Sequence, residues 1–244
     1  MKKDYIIILI LILIIIIYTN YLNRKVPIIH DVHIINLERS KDRWYDVQLE
    51  LSKLHPLKVK RWPATDGKTL SKNDYISENI PKRIYGAEGF NNPLNERNKF
   101  GVIGCFLSHK KLLQYLQSLN VPKNHGHLIL EDDIYIKSDT LTHWRKIYKN
   151  LNPNWDIVYF GIENNGKNYE KGPSIGGFEK VKNGSWGCYG YMVKHSTLPN
   201  ILEKLKFMDD AIDAVYNKNL NTFNCYALSD IKITVTNVKS TIQV

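Results

Sequence analysis

His127-Leu128-Ile129-Leu130-Glu131-Asp132-Asp133-Ile134-Tyr135-Ile136 sets the reading of this chain. A short aliphatic run delivers three consecutive carboxylates, and apolar alternation then resumes at Ile134 and Ile136. Leu128 to Leu130 have the make-up of a buried parallel strand, although periodicity alone does not separate such a run from a short helix segment. Adjacent carboxylates repel one another, so a fold that sets three of them at the end of a core strand commonly neutralises them with a cation or ligand. In open α/β sheets that strand end is where ligands bind. Taken alone, the triplet fits a solvated acidic turn as well as it fits a cation site. If the strand ran on through it, Glu131 and Asp133 would share one face and Asp132 would take the other.

The segments around the acidic stretch alternate between strand and helix patterns. Val32 to Leu37 is an apolar run of strand length. Ser40 can cap a helix carrying Trp44, Val47, Leu51 and Leu54 at spacings of three and four, and Pro56 ends it. Leu57 to Trp62 reads as a second strand, followed by the loop Pro63 to Gly67, so the order is that of a βαβ unit. Residues 68 to 99 lack sustained periodicity and read as a long, partly ordered excursion suited to binding an acceptor. A helix spans Val102 to Leu119, and Pro122 closes it before the acidic strand. Further helices are expected at Leu141–Leu151, Leu198–Phe207 and Ala211–Tyr216, and strands at Ile157–Phe160, Gly187–Val193 and Ile231–Val235. Gly161 to Gly187 is glycine-rich. No internal repeat is evident.

At 244 residues with 43% hydrophobic content, one α/β domain is the simplest fit. A formal charge of +10 favours phosphate-bearing or other anionic partners. Nucleic acid is not expected, since the basic residues form no dense block and no zinc-finger or RNA-binding motif occurs. There is no Gly-x-x-x-x-Gly-Lys-Ser/Thr loop, which argues against a P-loop nucleotide site. Cys105, Cys188 and Cys225 are too few and too scattered for a disulfide scaffold or zinc cluster, with one bridge possible.

Ile6 to Ile17 is an unbroken run of isoleucine and leucine flanked by Tyr5, Tyr18, Tyr21 and Leu22. As a helix, Tyr5–Leu22 would span ~27 Å, close to the ~30 Å hydrocarbon core. The expectation is therefore a short tail (1–4), a transmembrane anchor (5–22), a linker (23–29) and a catalytic domain (30–244). A signal peptide is disfavoured because Tyr18-Thr19-Asn20-Tyr21 offers no small-x-small cleavage site. The protein is expected to be single-pass, tethered to the membrane by that helix, with the catalytic domain lumenal or external.

Several short pieces occur in the order found in one family. They are His33-Ile34-Ile35-Asn36-Leu37 with Arg39-Ser40-x-Asp42-Arg43; Ala64-Thr65-Asp66-Gly67; Gly101-Val102-Ile103-Gly104-Cys105-Phe106-Leu107-Ser108-His109; and Ile129-Leu130-Glu131-Asp132-Asp133. Weaker echoes follow at Trp155-Asp156-Ile157, Ile212-Asp213 and Ser229-Asp230-Ile231. In these the chain resembles glycosyltransferase family 25, which includes lipopolysaccharide-type and collagen-type galactosyltransferases. The resemblance implies a GT-A-like, Rossmann-type mixed sheet flanked by helices, a UDP-sugar donor (galactose first), a glycan or hydroxylated protein acceptor, and Mn2+ or Mg2+. It also implies inversion at the anomeric carbon.

On that resemblance Asp133 is the metal ligand, while Glu131 and Asp132 serve ribose, sugar or metal-bound water. Asn36, Arg39, Arg43 and Asp66 become donor-site candidates, as do Ser108 and His109, where a satisfied structural histidine is the ordinary reading. The base that deprotonates the acceptor hydroxyl is assigned first to Asp213, with Asp210, Asp209 and Glu163 as rivals. Two other readings stay open: a catalytically silent member that binds sugar nucleotide or a partner protein, and a membrane-tethered basic binding protein.

Overall fold

The computed structural model describes residues 5, 7, 8, 10–14, 28–85, 96–164 and 170–236. Two short strands, β1 (Ile29–Asn36) and β2 (Val59–Pro63), flank the helix α1 (Lys41–Ser52). Val47 and Leu51 on α1 are buried, as their spacing predicts, and the helix stops short of Pro56. Ser40 occupies the N-cap, but its side chain makes no capping bond; its carbonyl accepts from Trp44 N and Asn36 Nδ2 instead.

The stretch expected to be a long, partly ordered excursion holds short helices among its described residues. A 3-10 turn at Gly67–Thr69 leads to α2 (Lys72–Ser77), α3 (Lys82–Tyr85) and the long α4 (Glu96–Gln117). Ser71 and Asp74 form a reciprocal capping box that starts α2. Residues 86–95 of that stretch lie outside the described residues.

Beyond α4 come β3 (Gly126–Glu131), β4 (Ile134–Ile136), α5 (Thr140–Ile147), β5 (Ile157–Tyr159), β6 (Glu163–Asn164), β7 (Glu170–Ile175), β8 (Phe178–Asn183), β9 (Ser185–Trp186) and β10 (Gly190–Lys194). The chain continues with α6 (Leu198–Lys204), α7 (Ile212–Lys218), β11 (Cys225–Leu228) and β12 (Ile233–Val235). Eight strands form one sheet in the order β2-β1-β3-β10-β5-β11-β8-β7. β1 runs parallel to both β2 and β3, whereas β10 is antiparallel to β3 and β5, so the sheet is mixed.

Strand alternation sorts side chains into two cores. Ile35, Ile129, Tyr159, Tyr191 and Val193 meet α4, α6 and α7 on one face, while Val32, Leu128, Leu130, Val158 and Met192 meet α1 and α5 on the other. The expected mixed sheet with flanking helices is present. β4 leaves that sheet and pairs with β12, so the acidic turn between β3 and β4 is where the chain changes sheets.

The transmembrane anchor is not supported. Among the described residues no helix is long and apolar enough to cross a membrane. The helical residues described between Tyr5 and Ile14 would cover only ~15 Å at 1.5 Å per residue, half a bilayer core. Tyr18, Tyr21, Leu22 and residues 23–27 of the expected linker lie outside the described residues. The single-pass topology, the membrane tether and the lumenal or external placement that depended on this helix are therefore withdrawn.

Candidate active site

β1 and β3 lie side by side in parallel, with Ile35 opposite Glu131, so their carboxyl ends open at one edge. β3 ends at Glu131, and Asp132 and Asp133 form the turn that follows. Thr236 N donates to the Asp133 carbonyl at 2.7 Å, tying the turn to the end of β12. The turn abolishes the alternation expected of a continuing strand. Asp132 and Asp133 both face Arg43, whose Nη2 lies 2.6 Å from Asp132 Oδ1 and 2.7 Å from Asp133 Oδ2.

Asn36 donates through Nδ2 to Asp132 and accepts through Oδ1 from Arg61 Nε at 2.9 Å. Buried and bonded on both sides, it positions Asp132. Arg61, which also stacks over Trp44 at 4.9 Å, is a member of this network that sequence reasoning missed. Its cue would have been the parallel register that sets Arg61 beside Ile34 on β1.

One guanidinium does not neutralise three acids. Burial, with added repulsion from Glu131, raises the Asp133 carboxyl to about 6 against the pull of Arg43. Burial likewise raises Asp132, with Arg43 and Asn36 opposing. Asp133 Oδ1 is buried with no hydrogen-bond partner among the described residues. Such an atom is costly in a purely structural turn, and it is a ready ligand for a cation.

Glu131 points to the α4 side. His109 Nε2 lies 3.3 Å from Glu131 Oε1, and His109 Nδ1 lies 3.0 Å from the Tyr191 hydroxyl, which is 3.4 Å from that of Tyr216. His109 is fully buried and stacks on Tyr191. It lines the cleft beside Glu131 while holding that carboxylate in place. Cys105 lies among the acids; burial first, then the charges of Glu131, Asp213 and Asp133, push its thiol up. All three cysteines are free thiols.

Asp213 is in the first turn of α7, where its Oδ1 accepts from Ala214 N at 2.9 Å and its Oδ2 from Gly187 N at 3.3 Å. Gly187 has φ +81°, and a Cβ there would lie 2.6 Å from the Tyr189 ring, so glycine is what lets that N–H turn toward Asp213. Burial raises the Asp213 carboxyl, and Glu131 adds to this against the two backbone N–H groups. Its rivals are placed differently: Glu163 stands beside Gly187, and the other two are engaged by basic side chains. Asp209 pairs with Arg83 and Lys218, Asp210 pairs with Lys218, and Glu163 is an exposed residue of β6.

The other wall is the loop after β2. Asp66 Oδ2 accepts from Arg39 Nε at 2.5 Å, and its Oδ1 accepts from Lys68 N at 3.1 Å. Burial disfavours the charged form of Asp66, but the hydrogen bonds and positive charges of Arg39 and Lys68 together outweigh it and keep the carboxyl below its usual range. Ser108 accepts from Thr65 N at 2.8 Å and donates to Gly104 O at 2.6 Å, so it latches this loop to α4. A Cβ on Gly67 would sit 1.8 Å from the Phe100 carbonyl, and one on Gly104 2.7 Å from the Thr65 carbonyl. Both glycines are needed for this close approach of backbones.

Between the walls lies a cleft of about 650 Å3, its solvent-filled mouth included. Arg39, Arg43, Asp66, Lys68 and the triplet Glu131-Asp132-Asp133 line it, as do Ser108 and His109. Lys68 is a second residue missed from the sequence. Asn36 and Asp213 stand outside the lining, Asn36 next to Asp132 and Asp213 near Glu131.

Residues 29–216 match the model of glycosyltransferase family 25 (LPS biosynthesis protein). A "Glycosyltransferase 25 family member" of Aedes aegypti is 30% identical over 211 residues, covering 81% of this chain and 32% of the relative. The Anopheles gambiae protein of the same name is 30% identical over 217 residues, covering 81% and 33%. This chain thus spans about a third of the length of these curated relatives. The crystal structure of A197 from STIV aligns with 86% of this chain and 95% of that one at 11% identity, with a TM-score of 0.38. With the family match extending over most of its length, the chain belongs to glycosyltransferase family 25.

Proposed function

We propose that this cleft transfers a hexose, galactose in the first instance, from a UDP-sugar to a hydroxyl of a glycan or protein side chain, with inversion and with Mn2+ or Mg2+ as cofactor. The observation that carries the reading is the carboxylate triplet at the end of β3, lining a cleft that also holds Arg39, Arg43 and Lys68, with Asp133 Oδ1 buried and unpartnered among the described residues. The donor set is all oxygen, which suits a hard divalent ion. Asp133 would hold it, with Glu131 or Asp132 reaching it directly or through water. The ion would supply Lewis acidity toward the departing diphosphate.

The residues of the chain supply the rest. Arg39 and Lys68 line the mouth and add positive charge where a diphosphate would sit. Arg43 and Asn36 fix Asp132, and His109 fixes Glu131. Asp213, with its raised proton affinity, takes the proton of the acceptor hydroxyl. The acceptor oxygen bonds to C1 from the face opposite the phosphate as the bond from C1 to the diphosphate oxygen breaks. Configuration inverts, and UDP leaves with the electron pair.

A panel of UDP-sugars assayed for Mn2+-dependent hydrolysis and transfer tests this directly. UDP-galactose should turn over fastest, and Asp133→Asn should lower kcat by at least ~100-fold, on the scale of losing one group that stabilises transition-state charge. Full activity in Asp133→Asn would refute the assignment. Asp213→Asn should lower kcat with little change in donor KM.

A further inference from the structure

At the far end of the sheet from the cleft, near the amino ends of β1 and β3, five of the chain's eight histidines gather around one buried carboxylate. Asp31 and His127 are register partners on neighbouring strands, and His33 lies two residues along β1 from Asp31, on the same face. His127 Nδ1 lies 2.6 Å from Asp31 Oδ1, and His33 Nε2 lies 3.0 Å from Asp31 Oδ2. The three residues are 3%, 1% and 0% exposed for Asp31, His33 and His127. The cluster lies ~10–16 Å along β1 from the acidic edge, counting from His33 and Asp31 to Asn36 at ~3.3 Å per residue.

We infer that Asp31, His33 and His127 form a second metal site, selective for zinc or a similar borderline transition ion, that ties β1 to β3. Three observations converge on it. One potential ligand atom from each residue lies within 4.8 Å of the others. Among the described residues neither ring nitrogen of His33 finds a hydrogen-bond partner, although the side chain is buried. A buried imidazole with both nitrogens unsatisfied is destabilising unless something else binds it. His33 Nε2 is close to Asp31 but off the hydrogen-bond line. Its 3.0 Å separation is near the ~3.3 Å edge between two ligands of a tetrahedral ion bonded at ~2.0 Å.

The surroundings suit a ligating histidine. His127 Nε2 is 3.1 Å from His195 Nδ1, so a metal at His127 Nδ1 leaves the opposite nitrogen hydrogen-bonded, the outer contact that orients metal-bound imidazoles. A metal on His127 Nδ1 selects the tautomer whose Nε2–H can donate to His195 Nδ1. Lys60, 3.4 Å from Asp31 with a half-exposed side chain, supplies positive charge in the metal-free form and can swing into solvent. Exposed His30 and partly exposed His125 and His195 stand at the rim as an entry path. Two imidazoles and a carboxylate favour a softer ion than the all-oxygen cleft does, so the two sites take different metals.

The test uses the full chain without a polyhistidine tag, stripped with chelator and then titrated with Zn2+ alone. One equivalent should remain after gel filtration and raise the melting temperature. X-ray absorption at the zinc edge should show two imidazoles. The cleft group Cys105, His109 and Glu131 offers a single histidine, so a spectrum with one imidazole or none overturns the inference, as does failure to retain zinc. His33→Gln and His127→Gln should each weaken zinc binding at least ~100-fold; unchanged affinity in a folded variant also overturns it. If either variant fails to fold, the imidazole count on the parent chain decides.

Discussion

At the scale of single residues, His109 shows how a side chain can be buried and still govern the cleft. It has one nitrogen on Glu131 and the other on Tyr191, and it is not exposed. His109→Ala would leave the Tyr191 hydroxyl without its histidine partner and free the Glu131 carboxylate to rotate. The variant should lose ~1–3 kcal/mol of stability, the scale of a buried polar group left unsatisfied, and activity should fall ~10–100-fold, as for outer contacts that orient ligands. Urea denaturation and single-turnover rates read the two effects separately. Unchanged turnover in the folded variant would remove Glu131 from the reaction. None of this network was legible in the sequence beyond the presence of its members. Asn36 and Asp132 are 96 positions apart, and only the pairing of β1 with β3 makes them neighbours. Arg43 is expected at the nucleotide, whereas here it bridges the two aspartates.

At the scale of elements, the cleft exists because a loop and a helix touch backbone to backbone. Gly67 and Gly104 meet where Ser108 hooks Thr65, and this contact sets Asp66 and Arg39 over the triplet. Gly104→Ala should cost ~1–3 kcal/mol through overpacking and should raise the donor KM, because the displaced loop carries Arg39's partner. A urea midpoint and a KM both equal to those of the parent would show that the contact is slack. The βαβ start, α4 and β3 could be read in advance because their apolar residues fall on one period and end at Pro56, Pro122 or the acids. β11 could not: Cys225-Tyr226-Ala227-Leu228 has no β-branched residue, and its strand form comes from the neighbours it pairs with. The hairpin β7–β8 was hidden as well, since its register shifts break alternation and β7 is largely exposed. The N-terminal isoleucine run misled for the opposite reason: composition alone implied a span that no described helix supplies.

At the scale of the whole molecule, the sheet carries opposite electrostatic loads at its two ends, and stability should follow pH accordingly. At the histidine end, burial works against the Asp31 charge, but the His127 hydrogen bond and the close approach of the His33 imidazole outweigh it and hold the carboxyl well below its usual range. A lowered carboxyl contributes stability that is present above the unfolded value of ~3.9 and is lost as pH falls below it. At the cleft end the sign reverses. Asp133 is raised to about 6, and Asp132 and Asp213 are raised as well, each chiefly by burial. Their contribution is fully present below ~3.9 and is lost as pH rises through the folded values. The metal-free chain should therefore be most stable in mildly acidic solution, weakening below pH ~4 from the Asp31 end and between pH ~4 and ~7 from the cleft end. Urea midpoints measured across pH in chelator should trace that maximum. Asp31→Asn should flatten the acid limb, and Asp133→Asn the upper one. Saturating Mn2+ should restore midpoints on the upper limb of the parent chain, since a ligand that binds the folded form alone raises its stability. An upper limb that keeps its slope in Asp133→Asn would show that the strain of the triplet does not reside in that carboxylate.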